Sequence, residues 1–199
     1  MDDELSINKI IDKMLKLYKK DWNEVKTTED YIIYDRKIID NKIKMYRIDI
    51  LIERNCDEIY HYLESELNDK KEGDLVFRYK IEKIKKKAKH FILLVSMKLP
   101  FPLKKRDFNI IIAKKKIDEE KSVIVVKSIK DDEYSEKFNI VRGKIKICGY
   151  LCSKVDDKRT IISYIIHIDP RGIIPANIVN RELKKNVIDL QRLKTKLEN

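Results

Sequence analysis

The sequence predicts an α+β domain in which a curved antiparallel sheet packs around a long C-terminal helix. Two observations support this class: strand-like segments fill the middle of the chain, and an apolar stripe with helical spacing closes it. A third is the use of only four Gly and four Pro in 199 residues, which leaves little room for linkers. A chain of this length is long for one domain and short for two, so we expect a single domain over residues 1–199.

The first part of the chain predicts two helices and two strands. Residues 3–20 carry Ile, Met, Leu and Tyr at spacings of three and four, which is a helical stripe. Residues 31–36 and 43–53 read as strands, and in the second Tyr and Ile alternate with Met, Arg and Asp. An Asn or Asp at 55–57 can cap a second helix that runs to about residue 68.

The middle of the chain reads almost entirely as strand. The predicted strands are 75–84, 90–99, 107–115, 121–129, 141–152 and 159–168. Two of them have a clean apolar face, formed by Phe91, Leu93, Val95, Met97 and Leu99 and by Ile145, Ile147, Gly149 and Leu151. This alternation is typical of half-buried antiparallel strands.

The C-terminal segment predicts one long amphipathic helix. Asp169–Gly172 has turn chemistry, and Pro175 suits the first position of a helix. Apolar side chains then recur at three and four, at Val179, Leu183, Val187, Leu190, Leu193 and Leu197. About 23 residues make a rod of roughly 34 Å. An apolar stripe of that length requires an equally long surface, and a strongly curved sheet provides one.

Composition narrows the classes of function. The net charge of +11 suits an anionic partner, either nucleic acid or a membrane surface. Lys far outnumbers Arg, whereas proteins that read nucleic acid favour the planar Arg fork, so we expect no nucleic-acid partner. The N-terminal residues do not resemble a signal peptide, and no apolar run approaches the roughly 20 residues of a membrane span. Three cysteines indicate reduced thiols, so we expect a cytoplasmic monomer that is peripheral at membranes.

No pattern of reactive residues predicts chemistry. Cys148 and Cys152 share a strand face without a Cys-x-x-Cys spacing, and the three His residues lie on different predicted elements. No nucleophile motif, paired-carboxylate motif or phosphate-binding Gly loop is present. We therefore expect no catalytic residue, no metal and no cofactor.

The second half of the chain contains several short motifs: Pro100-Phe101-Pro102, Arg106-Asp107-Phe108, Val141-Arg142-Gly143, Gly149, Asp169-Pro170-Arg171-Gly172 and Pro175 to Asn180. In its order and spacing this set resembles START domains, the lipid-transfer family related to steroidogenic acute regulatory protein. The resemblance implies a helix-grip fold with an internal lipid tunnel closed by the C-terminal helix. It also implies that one lipid is bound and carried between membranes without covalent chemistry.

Carried onto this chain, the resemblance assigns three groups of residues. The tunnel wall would comprise Leu93, Val95, Met97, Phe108, Ile110 and Ile112, and the helical lid would present Val179, Leu183, Val187 and Leu190. Arg106 and Arg142 would contact a lipid headgroup, with an ion-pair role at the strand ends as the alternative. The loop at the tunnel mouth would dock on anionic membranes through Leu99, Phe101, Leu103, Lys104 and Lys105, because apolar side chains beside cations favour the interface.

One departure from the family pattern bears on the ligand. Sterol-binding members place an acidic and a basic side chain inside the tunnel, where this chain has Leu93 and Ile112. Losing both charges together avoids a lone buried charge. The sequence therefore favours a phospholipid or another acyl-chain lipid over a sterol. A second departure places Ile173 where the family commonly has Trp.

Three alternatives remain open at this point. The domain could sense a sterol or another lipid rather than transfer it. A helix-grip cavity could also host cyclase-type chemistry, which would require titratable side chains with perturbed pKa values in the tunnel. A basic RNA-binding domain would instead require aromatic stacking platforms among the cations.

Overall fold

The computed structural model describes residues 3–39, 41–72, 75–76, 79–87, 90–98, 103–130, 134 and 136–199. Its helices are α1 (Asp3–Tyr18), α2 (Cys56–Asn68), α3 (Ala176–Lys184) and α4 (Asn186–Glu198). Its strands are β1 (Asn23–Thr27), β2 (Tyr31–Ile38), β3 (Asn41–Ile52), β4 (Leu75–Val76), β5 (Tyr79–Lys86), β6 (His90–Met97), β7 (Arg106–Lys116), β8 (Lys121–Ser128), β9 (Val141–Arg142), β10 (Lys144–Lys154) and β11 (Thr160–Asp169).

The described strands form one curved sheet in the order β1-β2-β3-β11-β10-β8-β7-β6-β5-β4. Neighbours on this path are antiparallel, and the short β9 pairs in parallel with the start of β7. The predicted strands and both N-terminal helices are present, and the predicted α+β helix-grip class is confirmed. Three strand boundaries differ: β1 was not predicted, the predicted strand 75–84 is split into β4 and β5, and the predicted strand 141–152 is split into β9 and β10.

The two faces of the sheet carry different helices. The inner face and helices α2, α3 and α4 enclose the larger apolar core, in which Tyr46, Ile48 and Phe108 are almost completely buried. The outer face packs against α1 through a second core that contains Met14 and Ile165. Strand residues alternate between the two cores, as the period of two requires.

The predicted apolar face formed by Ile145, Ile147, Gly149 and Leu151 is wrong, because β10 contains a β-bulge. The register against β11 shifts between Ile145 and Ile147. Ile145 therefore lies in the inner core, whereas Ile147 and Leu151 lie in the outer core under α1. A bulge inserts one extra residue, so side chains before and after it that would share a face point to opposite faces.

The C-terminal stripe forms two helices rather than one. α3 ends at Lys184 and α4 begins at Asn186, with Lys185 between them in right-handed helical geometry (φ −68°, ψ −9°). The backbone N–H of Lys185 bonds to the carbonyl of Glu182 at 3.1 Å, an i→i+3 bond that tightens the turn. Both helices pack on the inner face of the sheet.

In the described part of the chain, no helix combines the length and apolarity that a bilayer crossing requires.

Candidate functional site

A cavity of about 350 Å³ lies between α2, α4 and the inner face of the sheet. Its lining residues are Tyr62, Leu63, Glu66, Leu67, Lys70, Ile124, Tyr150, Tyr164, Asn186, Asp189, Leu190, Arg192, Leu193 and Lys196. The volume corresponds to on the order of ten water molecules, at roughly 30 Å³ each, and lies at the lower end of small-molecule sites.

The floor of the cavity is apolar with two phenols. Ile124, Tyr150 and Tyr164 come from three adjacent strands, β8, β10 and β11, and all lie on the inner face. The two tyrosine rings pack with their centroids 5.1 Å apart. The Cys148 thiol donates to the Tyr164 hydroxyl oxygen at 3.1 Å, directly beneath this pair. The floor therefore combines hydrocarbon surface with hydroxyl groups.

Burial keeps these floor groups protonated. Removal from water raises the pKa of the Tyr150 and Tyr164 hydroxyls well above the usual value, and the neighbouring Cys148 raises both further. Burial also raises the pKa of the Cys148 thiol, to about 12. Since a thiolate or phenolate is the reactive form, these groups are hydrogen-bonding surfaces rather than nucleophiles or bases near neutral pH.

The mouth of the cavity is charged. Lys70, two residues after the end of α2, pairs with Glu66 at 3.6 Å, and Arg192 on α4 pairs with Asp189 at 3.6 Å. Lys196 on the next turn of α4 adds a third cation to two carboxylates. The mouth thus offers polar, net cationic contacts above an apolar floor, an arrangement that suits an amphiphile.

Backbone tethers fix the two walls of the cavity. α2 begins at a cap in which the Asn55 side-chain oxygen accepts the N–H of Glu58 at 2.8 Å. α4 ends against the segment that precedes α2, because Arg54 Nε donates to the Leu197 carbonyl at 2.6 Å. The Glu198 carboxylate also accepts the Glu53 N–H at 2.8 Å. The C-terminal end of α4 is therefore held beside the beginning of α2.

The predicted tunnel wall is packed into the inner core. Leu93, Val95, Phe108, Ile110 and Ile112 are each at most 1% exposed. Met97 and Val187 are partly buried against the same core, whereas Val179 and Leu183 are buried in it. Among the described residues that the resemblance assigns to the tunnel and its lid, Leu190 alone lines the cavity. The remaining ones belong to the inner core and do not line the cavity.

The two predicted headgroup residues bond to the protein itself. Arg106 is buried and donates to the carbonyls of Lys104, Pro170 and Arg171, which fastens the start of β7 to the turn after β11. Arg142 donates to both carboxylate oxygens of Asp107, at 2.7 and 3.0 Å. The Arg142–Asp107 pair matches the ion-pair alternative, whereas Arg106 bonds to backbone carbonyls.

Only part of the predicted docking loop lies within the described residues. Leu99 and Phe101 lie outside the described residues. Leu103 is half-buried and Lys104 is exposed. Lys105 pairs with Glu82 at 2.8 Å, so its ammonium group is directed toward the protein.

Most of the residues that line the cavity were not predicted from the sequence. The stripe on α2 and the predicted helical position of Leu193 were visible, but nothing in the pattern showed that α2 and α4 leave a gap between them. The signal that could have indicated the floor is the pair Tyr150 and Tyr164, because a phenol on an inward-facing strand position needs a polar partner.

The START domain family model matches residues 5–197 of the chain. No curated protein matches it by sequence.

Several solved structures are similar. Human StAR-related lipid transfer protein 5 has a TM-score of 0.78 at 16% identity, covering 98% of this chain and 95% of that one. Human STARD10 has a TM-score of 0.74 at 17% identity, covering 94% and 77%. A fragment of a STAR-related lipid transfer protein from Xanthomonas axonopodis has a TM-score of 0.66 at 17% identity, covering 90% and 100%. At these identities the likeness shows the fold.

Proposed function

Since this chain belongs to the START domain family, we propose that it binds one lipid in the cavity between α2 and α4 and carries that lipid between membranes. The observation that carries the proposal is the cavity itself, with its apolar floor, its neutral phenols and its charged mouth. The solved structures of similar fold include proteins named for lipid transfer, which supports the same conclusion.

We further propose an acyl-chain lipid, with a phospholipid favoured over a sterol. The positions that carry charges in sterol-binding relatives are Leu93 and Ile112, and both are almost completely buried in apolar surroundings. The net cationic mouth, with Lys70, Arg192 and Lys196, suits a phosphate-bearing headgroup. A volume of about 350 Å³ suits a single hydrocarbon chain. A two-chain lipid would require α4 to move away from α2.

The proposed role involves no covalent step. The tyrosine and cysteine groups of the floor are held in their neutral forms, and both carboxylates of the mouth are in ion pairs. Within the described residues, no group of three or more His, Cys, Asp and Glu side chains could hold a metal ion. These features favour a carrier over the cyclase-type alternative, and the lipid would leave the cavity unchanged.

Transfer requires brief contact with an anionic membrane, and we propose that the monomeric protein works in the cytoplasm and carries no nucleic acid. We propose that α4, α2 or a loop at the cavity edge moves to widen the mouth when a lipid enters or leaves, as such elements do in many binding sites. A lipid sensor would load in the same way but would not deliver its ligand. A vesicle-to-vesicle transfer measurement separates the two roles.

The direct test is extraction of lipid from vesicles. The purified protein is incubated with vesicles that contain a panel of phospholipids, single-chain lipids and cholesterol, then separated and analysed by mass spectrometry. We expect one lipid molecule per chain, with phospholipid or single-chain lipid retained in preference to cholesterol. No extraction across the panel would contradict lipid binding, whereas preferential retention of cholesterol would contradict only the assigned ligand class.

A further inference from the structure

One end of the sheet brings together residues from five neighbouring strands. β3, β7 and β10 begin at this end, and β8 and β11 end there. Two pairs of directly opposed strand residues lie at this end: Lys144 is opposite Asp169, and Ile110 is opposite Ser128. Asn41 at the start of β3 contacts His167 near the end of β11 at 3.4 Å. We call this the loop end of the sheet.

Four lysines converge on the outer face near the loop end. Lys127 lies opposite Ile111, whose side chain is in the outer core, and Lys144 and Lys146 lie at the start of β10. Lys13 projects from α1, which packs over β8 and β10. Burial lowers the pKa of the Lys13 ammonium, and Lys127, Lys146 and Lys144 lower it further. The four residues, called the lysine cluster below, are therefore close enough to repel one another.

Within the described residues, the members of the lysine cluster do not form the close carboxylate ion pairs that several other lysines form. Lys44, Lys105 and Lys114 form ion pairs with carboxylates at 2.5 to 2.8 Å. No comparable ion pair involves any member of the cluster within the ranges that the structure describes. Neighbouring like charges destabilise the folded state unless an anion offsets them, so the cluster is arranged to receive an anion.

Two titratable groups, His167 and Asp169, lie near the lysine cluster and leave its local charge positive. His167 lies beside the cluster, and burial, Lys146 and Lys13 all lower its pKa, which favours the neutral ring. Asp169, opposite Lys144, acts in the opposite direction on the His167 pKa, but it supplies one negative charge against the four positive charges of the cluster. The cluster therefore keeps a net positive field.

The loop end also exposes large apolar side chains. Ile39 between β2 and β3 is 91% exposed, Phe138 before β9 is 94% exposed, and Ile173 after β11 is 95% exposed. Large apolar groups beside cations are the combination that an interfacial membrane contact uses. A small soluble phosphate would gain nothing from these three side chains, whereas a lipid surface would accept them.

We infer that the lysine cluster binds the phosphate groups of phosphorylated lipid headgroups in a membrane, while Ile39, Phe138 and Ile173 enter the interface beside it. Only the role of this contact, docking for lipid transfer, rests on the proposed function. The cluster lies on the outer face and the cavity lies on the inner face, so the docked headgroup is distinct from the carried lipid. Ammonium–phosphate contacts and release of the mutual repulsion both favour binding.

Charge reversal with a matched control tests this inference. The variant Lys127→Glu with Lys146→Glu is compared with Lys121→Glu with Lys158→Glu, which lie at the other end of β8 and in the turn between β10 and β11. Each pair replaces two positive charges with two negative charges, so the net charge falls from +11 to +7 in both. Binding is measured by flotation with phosphatidylcholine vesicles that do or do not contain phosphatidylinositol bisphosphate.

We expect the cluster variant to bind the phosphoinositide vesicles at least about tenfold more weakly than the unmodified protein, and the control variant to lose much less. Lys127→Gln with Lys146→Gln should show a smaller loss in the same direction and guards against a folding defect. Equal losses in the cluster and control variants would overturn the inference, because net charge alone would then explain binding.

Two further measurements complete the test. If soluble inositol trisphosphate or single-stranded RNA binds at the cluster and phosphoinositide vesicles do not, the membrane assignment is wrong. Lipid extraction is measured on the same variants with neutral vesicles at high protein concentration. Loss of docking with normal extraction supports the inference, whereas extraction that fails in every variant while docking behaves as expected contradicts the proposed function instead.

Discussion

Gly149 allows strands β10 and β8 to approach each other closely. It lies in β10 opposite Val125 with a φ of 152°, a conformation that side chains rarely adopt. A Cβ atom placed there would stand 2.1 Å from the Ile124 carbonyl oxygen. Ile124 also forms part of the cavity floor, so this close approach of two strands fixes the position of the floor. Glycine is the residue that permits it.

The buried ion pair of Asp107 and Arg142 has a similar positioning role. The Asp107 side chain is 5% exposed and the Arg142 side chain is 14% exposed, and two parallel hydrogen bonds join them. The Asp107 carbonyl also accepts the Gly143 N–H at 2.9 Å. Removing either partner would leave a buried charge without compensation. The pair therefore fixes β9 against the start of β7.

The Glu82 carboxylate should stabilise the protein in a pH-dependent way. Hydrogen bonds from Lys105 and then Ser96 lower the pKa of the Glu82 carboxyl from 4.5 to about 2. A lowered folded-state pKa stabilises the protein above the unfolded value, and this stabilisation is lost as the pH falls from about 5 toward 2. We expect Glu82→Gln to lower the free energy of unfolding by about 1 kcal/mol at pH 7, allowing for solvent screening. Denaturant unfolding at a series of pH values measures the difference.

The difference between the native protein and Glu82→Gln should shrink toward zero near pH 2. Glu72→Gln is the control, since Glu72 pairs with Lys83 at 3.3 Å with both side chains more than half exposed. It should change the unfolding free energy by less than about 0.5 kcal/mol. A pH-independent effect of Glu82→Gln would mean that the carboxylate charge does not contribute.

At the scale of elements, Asn180 ties α3 to the sheet. Its side-chain oxygen accepts the Lys44 N–H at 2.9 Å, and its amide donates to the Lys42 carbonyl at 3.1 Å. Both partners belong to β3. We expect Asn180→Ala to destabilise the protein by about 1–2 kcal/mol, because two backbone groups lose their partner. Amide hydrogen exchange should show faster exchange throughout α3.

Asn177→Ala is the control for this prediction. Asn177 lies on the same helix, is exposed, and bonds only locally to the Ile178 N–H at 3.0 Å. It should leave exchange in the rest of α3 close to that of the native protein. If both variants accelerate exchange equally, the helix is held by its buried residues Val179 and Leu183, and the Asn180 tether is unimportant.

Elements with a strong local pattern were predictable, and the others were not. β7 and β8 have long apolar runs, and α2 has a stripe and a capping Asn, so their existence followed from local rules. β1 was missed because all five of its residues are exposed, which leaves an edge strand without an apolar face. The break at Lys185 was missed because the apolar spacing continues across it, and a single tight turn leaves no trace in that spacing.

At the scale of the whole molecule, the cavity depends on packing that no local pattern contains. The family motifs identified the fold, but they pointed to Leu93 and Ile112, which are packed in the core. Arg54 and Glu198 hold the end of α4 beside the beginning of α2, and the two helices leave a gap over the sheet. Such a gap is a sum of many side-chain volumes, so its position emerges only in three dimensions.

The arrangement of charge is likewise a property of the whole molecule. The sequence shows a net charge of +11 but not where the cations meet. Lys13 is more than 100 positions from Lys127 and Lys144 in the sequence, and folding brings α1 over β8 and β10. The two proposed sites consequently lie on opposite faces of one sheet, with the carried lipid inside and the membrane headgroup outside.

If one lipid occupies the cavity between α2 and α4, a side chain that fills this cavity should exclude the lipid, and native mass spectrometry measures that occupancy directly. Leu193 lines the cavity, so Leu193→Trp should fill it. Ile188 lies on the same helix and is 46% exposed, so Ile188→Trp adds the same side chain outside. After incubation with phospholipid vesicles, we expect one lipid per chain in the native protein and in Ile188→Trp, and at least about tenfold lower occupancy in Leu193→Trp, because the ring takes the ligand's volume. Normal lipid occupancy in a folded Leu193→Trp protein would contradict the claim and would place the lipid elsewhere.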